Sequence, residues 1–204
     1  MHRIHKTLLI LFLFLLSFGF TADKVILCLG DSLTEGYGVD TEVAYPALME
    51  IEIKKKGYPY RVVNAGISGS TSASAAGRLN WFLKTKPEIL ILALGANDGL
   101  RGLSVSEMSA NLSKAIEVGK QSGAQVILAG MKIPPNYGPD YAREFEAVFP
   151  ILAKKYDLVF IPFLLEKVGG EPGLNQADRI HPNEKGHVIL AQTVLKTLLP
   201  LLKK

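Results

Sequence analysis

The chain has 204 residues, with 23 lysines and arginines against 19 aspartates and glutamates. This small positive charge is not concentrated in any block rich in Lys or Arg, so nothing indicates a nucleic-acid partner. One cysteine, Cys28, excludes an internal disulfide, and its apolar neighbours predict a buried side chain. With so few Cys and His residues, no spacing typical of metal ligands occurs, and no metal is expected.

The first residues have the layout of an export signal. Arg3 and Lys6 precede an apolar run at 8–20, which is shorter than the roughly 20 residues that a membrane span needs. We therefore predict a signal peptide at 1–22, with an uncleaved N-terminal anchor as the alternative, and a single domain at 23–204. The protein is expected to be periplasmic or secreted, and to contact a membrane only through the leader if that is retained.

Beyond the leader, short apolar or β-branched runs alternate with helical patterns. The five runs are Val25–Leu29, Arg61–Asn64, Ile89–Leu94, Gln125–Ala129 and Leu158–Ile161. Several are apolar at consecutive positions, which is typical of strands in a parallel sheet covered on both faces. The repeated strand–helix order predicts an α/β fold, a three-layer α/β/α sandwich around a five-stranded parallel sheet.

Three apolar stripes at helical spacing lie between or after these runs. They are Val105, Met108, Leu112 and Ile116; Tyr141, Phe145, Val148 and Leu152; and Val188, Ala191, Leu195 and Leu198. Pro182 and Asn183 predict the start of the last helix, since proline and an Asn cap both suit a helix N-terminus. Trp81 and Phe82 follow an apolar pattern and are expected in the core. His187, inside the last helix, is expected to face solvent or to be structural.

The loops that follow the first three predicted strands are rich in small and polar residues. They are Gly30–Ser32, Ala65–Ser70 and Gly95–Gly99. Because ligands of such sheets collect beyond the carboxyl ends of the strands, we expect these loops to form a site together. In the first loop, Asp31 is expected to brace the turn.

A nucleophile, a base and an orienting carboxylate can be drawn from three positions. Asp178 precedes His181 by three residues, so its carboxylate can fold back onto the imidazole Nδ1 and leave Nε2 free to accept a proton. Ser32, after the first strand, would then lose its proton to His181 while attacking a carbonyl carbon. The alternative is that Ser32 is a turn residue, that Asp178 caps a turn and that His181 lies on the surface.

Acyl transfer also needs donors for the developing oxyanion. The candidates are the backbone N–H of Ser32, the backbone N–H of Gly69, and the side-chain carboxamide of Asn97. Ordinary turn chemistry is the alternative explanation for both Gly69 and Asn97.

Four segments resemble the sequence blocks of the SGNH, or GDSL, hydrolase family. They are "GDSLTEGYG" with Ser32, "NAGISGSTS" with Gly69, "LGANDGLRG" with Asn97, and "DRIHPNEKGH" with Asp178 and His181. The resemblance covers nearly all of residues 24–200 and is closest to bacterial periplasmic enzymes described as acyl-CoA thioesterase, lysophospholipase and arylesterase. It implies a flavodoxin-like fold and the Ser-His-Asp and oxyanion-hole roles given above. One departure is Ser70, where the family pattern has an aspartate.

The sequence thus predicts a serine hydrolase that acts on a small-molecule ester or lipid, such as an aryl ester, a lysophospholipid or an acyl thioester, without a cofactor. The alternatives are a carbohydrate O-acetyl esterase, or a non-catalytic binding protein on the same fold. A nucleotide-binding module is disfavoured, because neither a complete G-x-G-x-x-G nor a P-loop motif occurs. The loop at 133–139, including Pro135 and Tyr137, is predicted to wall an acyl groove, or else to be a surface loop. A monomer is expected.

Overall fold

Strands and helices alternate along residues 23–204, the part of the chain that this computed structural model describes. The strands are β1 (Lys24–Gly30), β2 (Tyr60–Gly66), β3 (Ile89–Ala93), β4 (Gln125–Ala129) and β5 (Val159–Ile161). The α-helices are α1 (Ser32–Glu35), α2 (Tyr45–Lys55), α3 (Ala75–Phe82), α4 (Ala96–Leu100), α5 (Val105–Gln121), α6 (Pro139–Tyr156) and α7 (Glu184–Leu198). Short 3-10 helices cover Thr41–Val43, Ser72–Ser74, Leu83–Thr85, Pro135–Tyr137 and Leu199–Leu201. The predicted leader at 1–22 lies outside the described residues.

The five strands form one parallel sheet in the order β2-β1-β3-β4-β5. This is the flavodoxin-like order, so the predicted fold class and all five predicted strands are confirmed. The chain reverses its direction of winding between β1 and β3, and the crevice at such a switch point is where ligands of this architecture bind. The loops that follow β1, β2 and β3 all reach this crevice.

Helices cover both faces of the sheet and give the three layers. Helix α2 packs against α7 on one side, and α5 packs against α3 and α6 on the other. Strands β1 and β3, which lie inside the sheet, are almost fully buried, because their mainly apolar side chains point into both helical layers. At the edge, Gly66 at the end of β2 lets α1 approach closely, since a Cβ there would overlap the backbone of Glu35.

Helix α7 begins where the sequence predicts, but its buried face differs from the predicted stripe. Asn183 caps the helix by accepting a hydrogen bond from the Gly186 N–H at 3.1 Å. Val188 is 46% exposed, so its placement in the apolar stripe is wrong. His187 takes the buried position instead, where its Nδ1 accepts the Tyr45 N–H at 3.2 Å. His187 is therefore structural, and the solvent-facing alternative is wrong.

Trp81 is also placed differently from its prediction. Its side chain is 60% exposed rather than buried in the core. The Lys84 ammonium lies 3.3 Å from the centroid of the indole ring and covers part of its face, while the edge of Phe82 packs against it. Phe82 itself is partly buried against the core, and Cys28 is fully buried as predicted.

Within residues 23–204, no helix combines the length and the apolar character that crossing a bilayer requires.

Candidate active site

Ser32, His181 and Asp178 lie in one hydrogen-bonded line. Ser32 is the first residue of α1, directly beyond the carboxyl end of β1, and is only 9% exposed. His181 Nε2 lies 2.9 Å from Ser32 Oγ, and His181 Nδ1 lies 2.7 Å from Asp178 Oδ2. The structure therefore brings together all three residues that the sequence suggested, in the order hydroxyl, imidazole, carboxylate.

The Asp178 carboxylate is held by its own loop as well as by the imidazole. Its Oδ1 accepts the backbone N–H groups of Ile180 at 2.9 Å and His181 at 3.0 Å. Burial alone would raise the pKa of Asp178, but the hydrogen bonds from the His181 ring and from these two N–H groups outweigh it and lower the pKa to about 2. Asp178 is therefore an anion at neutral pH and can orient the ring and stabilise an imidazolium.

Asp31 braces the turn that carries Ser32, as predicted. Its Oδ1 accepts the Leu33 N–H at 3.1 Å and so caps the first turn of α1. Burial raises the pKa of Asp31 to about 6, although the backbone hydrogen bond from Leu33 opposes the shift. Arg78, whose guanidinium donates to the carbonyls of Gly30 and Ala65, ties the ends of β1 and β2 together beneath this turn.

Gly69 and Asn97 come from the loops after β2 and β3. Gly69 has φ 75, a left-handed conformation that favours glycine. The Asn97 Nδ2 donates to the Ser70 carbonyl at 3.1 Å. A carboxamide nitrogen carries two hydrogens, so this bond uses one and leaves the other for a ligand. Asn97 lines the same pocket as Ser32 and His181.

Two carboxylates that the sequence reading missed hold the loop that contains Gly69. Glu35 Oε2 accepts the Ser68 N–H at 2.7 Å and also the Ser68 hydroxyl. On the other side, Asp98 accepts the Ser72 N–H at 2.8 Å and the Ser72 hydroxyl at 2.6 Å. Ser70 therefore sits in a loop fixed at both ends, despite its departure from the family pattern.

Glu35 and Asp98 could have been suspected from the sequence, because each lies in a quoted block beside a candidate residue. Tyr37 lies in the same block as Ser32 and was also missed. Its ring centroid lies 4.7 Å from that of His181. None of the three could be assigned a partner from the sequence, because the contacts of Glu35, Tyr37 and Asp98 are with residues distant in the chain.

A pocket of about 580 Å³ opens beside Ser32 and His181. Its walls are mainly apolar, with contributions from Leu33, Leu100, Ile133, Phe163, Leu165 and Ile180. Such a cavity suits a ligand with an apolar part and a few polar groups at one end.

The loop after β4 contributes Ile133 and Pro134 to this pocket. Tyr137 does not line it: its hydroxyl donates to the Leu100 carbonyl at 2.7 Å, behind the wall. The side chain of Pro135 lies outside the described part of the structure. A binding role for Pro135 and Tyr137 therefore stays a prediction.

Residues 23–204 contain no group of three or more His, Cys, Asp or Glu side chains that could hold a metal ion.

Comparison with known proteins places this site in a family. The sequence profile of the GDSL-like lipase/acylhydrolase family matches residues 28–189. The esterase TesA of Pseudomonas aeruginosa is 41% identical over 182 residues, which cover 89% of this chain and 90% of the relative. Thioesterase 1/protease 1/lysophospholipase L1 of Escherichia coli K12 is 38% identical over 192 residues, which cover 94% of this chain and 91% of the relative.

A solved esterase structure is also similar to this chain. The psychrotrophic esterase EstA from Pseudoalteromonas sp., in a form inhibited by monoethylphosphonate, superposes with a TM-score of 0.83 at 32% identity, covering 88% of this chain and 98% of EstA. Fold and relatives together define a carboxylic ester hydrolase. The chain belongs to the GDSL-like lipase/acylhydrolase family.

Proposed function

We propose that the protein hydrolyses aryl esters, lysophospholipids or acyl thioesters with Ser32 as nucleophile, His181 as general base and Asp178 as the orienting carboxylate. The observation that carries the proposal is the line of two short contacts, 2.9 Å from Ser32 Oγ to His181 Nε2 and 2.7 Å from His181 Nδ1 to Asp178 Oδ2. A nucleophile within hydrogen-bond reach of a base that a third group orients is the arrangement that acyl transfer needs.

In the acylation step, Ser32 Oγ attacks the carbonyl carbon while its proton moves to His181 Nε2. The carbonyl π electrons move to the oxygen, and the resulting imidazolium is stabilised by the adjacent Asp178 carboxylate. When the tetrahedral intermediate collapses, His181 returns the proton to the departing alcohol or thiol. Proton transfer by a positioned base is worth about 10²–10⁴-fold in rate.

The oxyanion that forms in this step needs donors on the side opposite His181. The Ser32 N–H, the Gly69 N–H and the second hydrogen of the Asn97 carboxamide are our candidates. The hydrogen bond from Asn97 to the Ser70 carbonyl supports this role, because it fixes the carboxamide before substrate arrives. Preorganised donors of this kind need no rearrangement at the moment of reaction.

Deacylation repeats the same chemistry with water. His181 takes a proton from water, the hydroxide oxygen attacks the acyl carbon, and the proton returns to Ser32 Oγ as the acid leaves. No cofactor is needed for either half of the cycle.

The apolar pocket supports an acyl or aryl substrate over a carbohydrate ester, because sugar hydroxyls require more polar partners than these walls provide. The names of the relatives, esterase and thioesterase/lysophospholipase, fit the same choice. The sequence of residues 1–22 supports export to the periplasm or beyond, where lipid esters are more accessible than cytosolic thioesters. Every proposed site residue comes from one chain, so the proposed mechanism does not require a residue from a second subunit, and a monomer remains our expectation.

The test is turnover of p-nitrophenyl butyrate by the purified protein, together with labelling by a fluorophosphonate probe. Wild-type protein should hydrolyse the ester and take up one label on Ser32, as found by mass spectrometry of peptides. Ser32→Ala should lose both, while Ser113→Ala, a control on α5 outside the pocket, should keep both. Absence of turnover in wild-type protein would favour a binding protein, and full turnover by Ser32→Ala would require a different nucleophile.

A further inference from the structure

Two basic side chains, Lys132 and Arg179, line the pocket beside Ser32 and His181. Among the described residues, neither lies within salt-bridge distance of a carboxylate, and neither side chain makes a hydrogen bond. Both are exposed at the mouth of an otherwise apolar cavity. These two charges are not used by the chemistry described above.

Arg179 has an unusual backbone conformation. Its φ is 59, in the left-handed region that favours glycine, and it lies between the proposed orienting residue Asp178 and Ile180. The turn is closed by hydrogen bonds from the Arg179 N–H to the Gln176 carbonyl at 3.0 Å and from the Gln176 N–H to the His181 carbonyl at 2.8 Å. An arginine at this φ carries a cost in backbone strain that a glycine would avoid.

The position of Arg179 identifies the part of the substrate that it can reach. His181 protonates the leaving group in the proposed mechanism, so the departing alcohol lies against the loop that carries His181. Arg179 is two residues earlier in that loop. Arg179 is exposed and lines the pocket next to Ile180 and His181, so we assign its guanidinium to the leaving-group side of the ester.

Lys132 approaches the same cavity from the loop that follows β4. Its ammonium lies 5.4 Å from the centroid of the Phe163 ring, which also lines the pocket. This distance allows a cation–π contact, which keeps the ammonium near a ring of the pocket wall. Asp31 is the one carboxyl group among the pocket-lining residues, and it is fully buried beneath Ser32. The exposed charges that line the pocket are therefore positive.

We propose that Arg179 and Lys132 form an anion subsite that binds a phosphate carried on the leaving group of the substrate. This inference rests on the proposed function and adds to it the charge of the preferred substrate. The guanidinium can form two parallel hydrogen bonds to phosphate oxygens, and the ammonium adds a point charge. Substrates that carry an acyl chain and an anionic alcohol, as lysophospholipids do, fit the apolar pocket and this subsite together.

A matched pair of soluble esters tests the subsite. The two substrates are 1-hexanoylglycerol 3-phosphate and 1-hexanoylglycerol, which share the acyl group and differ in the phosphate. For wild-type protein we expect kcat/KM to be about three- to tenfold higher for the phosphate ester, since exposed charges contribute modestly. The ratio should fall toward one in 0.5 M NaCl, where the Debye length is only a few Å.

Substitutions assign the effect to residues. Arg179→Gly removes the charge and suits the positive φ, while Arg179→Gln removes the charge and keeps the side-chain length. Both should lower the phosphate-to-neutral ratio by about threefold or more, and Lys132→Gln should lower it further in combination. Arg179→Lys should retain part of the preference. The matched control is Lys86→Gly, because Lys86 is also a basic residue at positive φ (52) but lies before β3, at the opposite edge of the sheet.

The outcomes separate the two proposals. If wild-type protein hydrolyses the neutral ester but its ratio is unaffected by salt or by Arg179 substitution, the subsite is wrong and the esterase proposal stands. If p-nitrophenyl butyrate is hydrolysed but neither glycerol ester is, the subsite is wrong and the esterase proposal stands; if none of the three esters is hydrolysed, both proposals fail. A second pair, mono-p-nitrophenyl adipate and p-nitrophenyl hexanoate, carries the charge on the acyl side. If the Arg179 variants affect only this pair, the assignment to the leaving group is overturned.

Discussion

His181 Nε2 lies 2.9 Å from Ser32 Oγ, although the two residues are 149 positions apart in the chain. Ser32 lies directly after β1, and His181 lies in the loop that precedes α7. Their contact depends on α7 packing beside α2, which brings that loop back over the carboxyl end of β1. The geometry of the sheet and of one helix pair thus determines the reactive contact.

Replacing Asp178 by Asn should reduce kcat for p-nitrophenyl butyrate by about 10²–10⁴-fold, with a smaller change in KM. An amide at this position cannot stabilise an imidazolium and can favour the wrong histidine tautomer. Asp140→Asn, at an exposed carboxylate paired with Arg143, serves as the control and should retain wild-type kcat. A reduction below tenfold for Asp178→Asn would show that His181 works without this partner.

Asn97→Ala should lower kcat by about 10²–10³-fold, as expected when one oxyanion donor is lost. KM should change little, because the donor acts mainly on the developing charge. The control is Asn80→Ala, at an exposed position on α3. Steady-state kinetics with both variants check this, and an Asn97→Ala enzyme with wild-type kcat would remove the carboxamide from the mechanism.

The Asp98→Asn substitution tests whether Asp98 positions the loop that contains Gly69. The substitution places an amide N–H₂ against the N–H and hydroxyl of Ser72, so one buried donor loses its acceptor. The loop with Gly69 should shift, and kcat should fall by about tenfold while KM changes less, as expected for a transition-state effect. Asp157→Asn, at the exposed end of α6, is the matched control.

Stability must be measured alongside, since a purely structural role would lower the melting temperature without reducing kcat of the folded enzyme. A lower melting temperature with wild-type kcat would therefore contradict the positioning role of Asp98.

The buried His187 predicts a dependence of stability on pH. Burial, with a smaller effect from the charge of His181, lowers the pKa of His187 to about 4, whereas in the unfolded chain it is about 6.5. Between these values the unfolded state binds the proton more readily, so the free energy of unfolding should fall as the pH drops from about 6.5 to 4. At its limit the loss is about 3 kcal/mol.

Urea unfolding of wild-type protein and His187→Gln between pH 4 and 7 measures this loss. Glutamine can still accept a hydrogen bond from the Tyr45 N–H but does not titrate, so the free energy of unfolding of the variant should change less with pH. Equal changes in the two proteins would mean that His187 does not contribute to the pH dependence of stability.

The fold was predictable because several strands are apolar at consecutive positions and the first three are each followed by small and polar residues. Ser32, Asp178 and His181 were predictable because few sequences place these residue types in this order within the quoted blocks. Val188 was misplaced because the buried position in the first turn of α7 is taken by His187, a polar residue that an apolar pattern passes over, whereas Ala191, Leu195 and Leu198 of the same stripe are buried. Trp81 was misplaced because apolar character alone says nothing about a neighbour such as Lys84, which can cover a ring at the surface.

The contacts that hold the loop containing Gly69 could not be predicted, although Glu35 and Asp98 both lie within the quoted sequence blocks. The contact of Glu35 with Ser68 joins the end of α1 to the loop after β2, and the pairing of β1 with β2 brings these two segments together. The same holds for Arg179, whose backbone conformation and pocket position have no signature in the residue order.

His181 lies near the C-terminal end of the sequence, so it is synthesised long after Ser32. A nascent polypeptide that already contains Ser32, Gly69 and Asn97 still lacks the proposed base until the segment before α7 has been synthesised and has folded onto the sheet. On the proposed mechanism, ester hydrolysis is therefore expected only from a nearly complete chain.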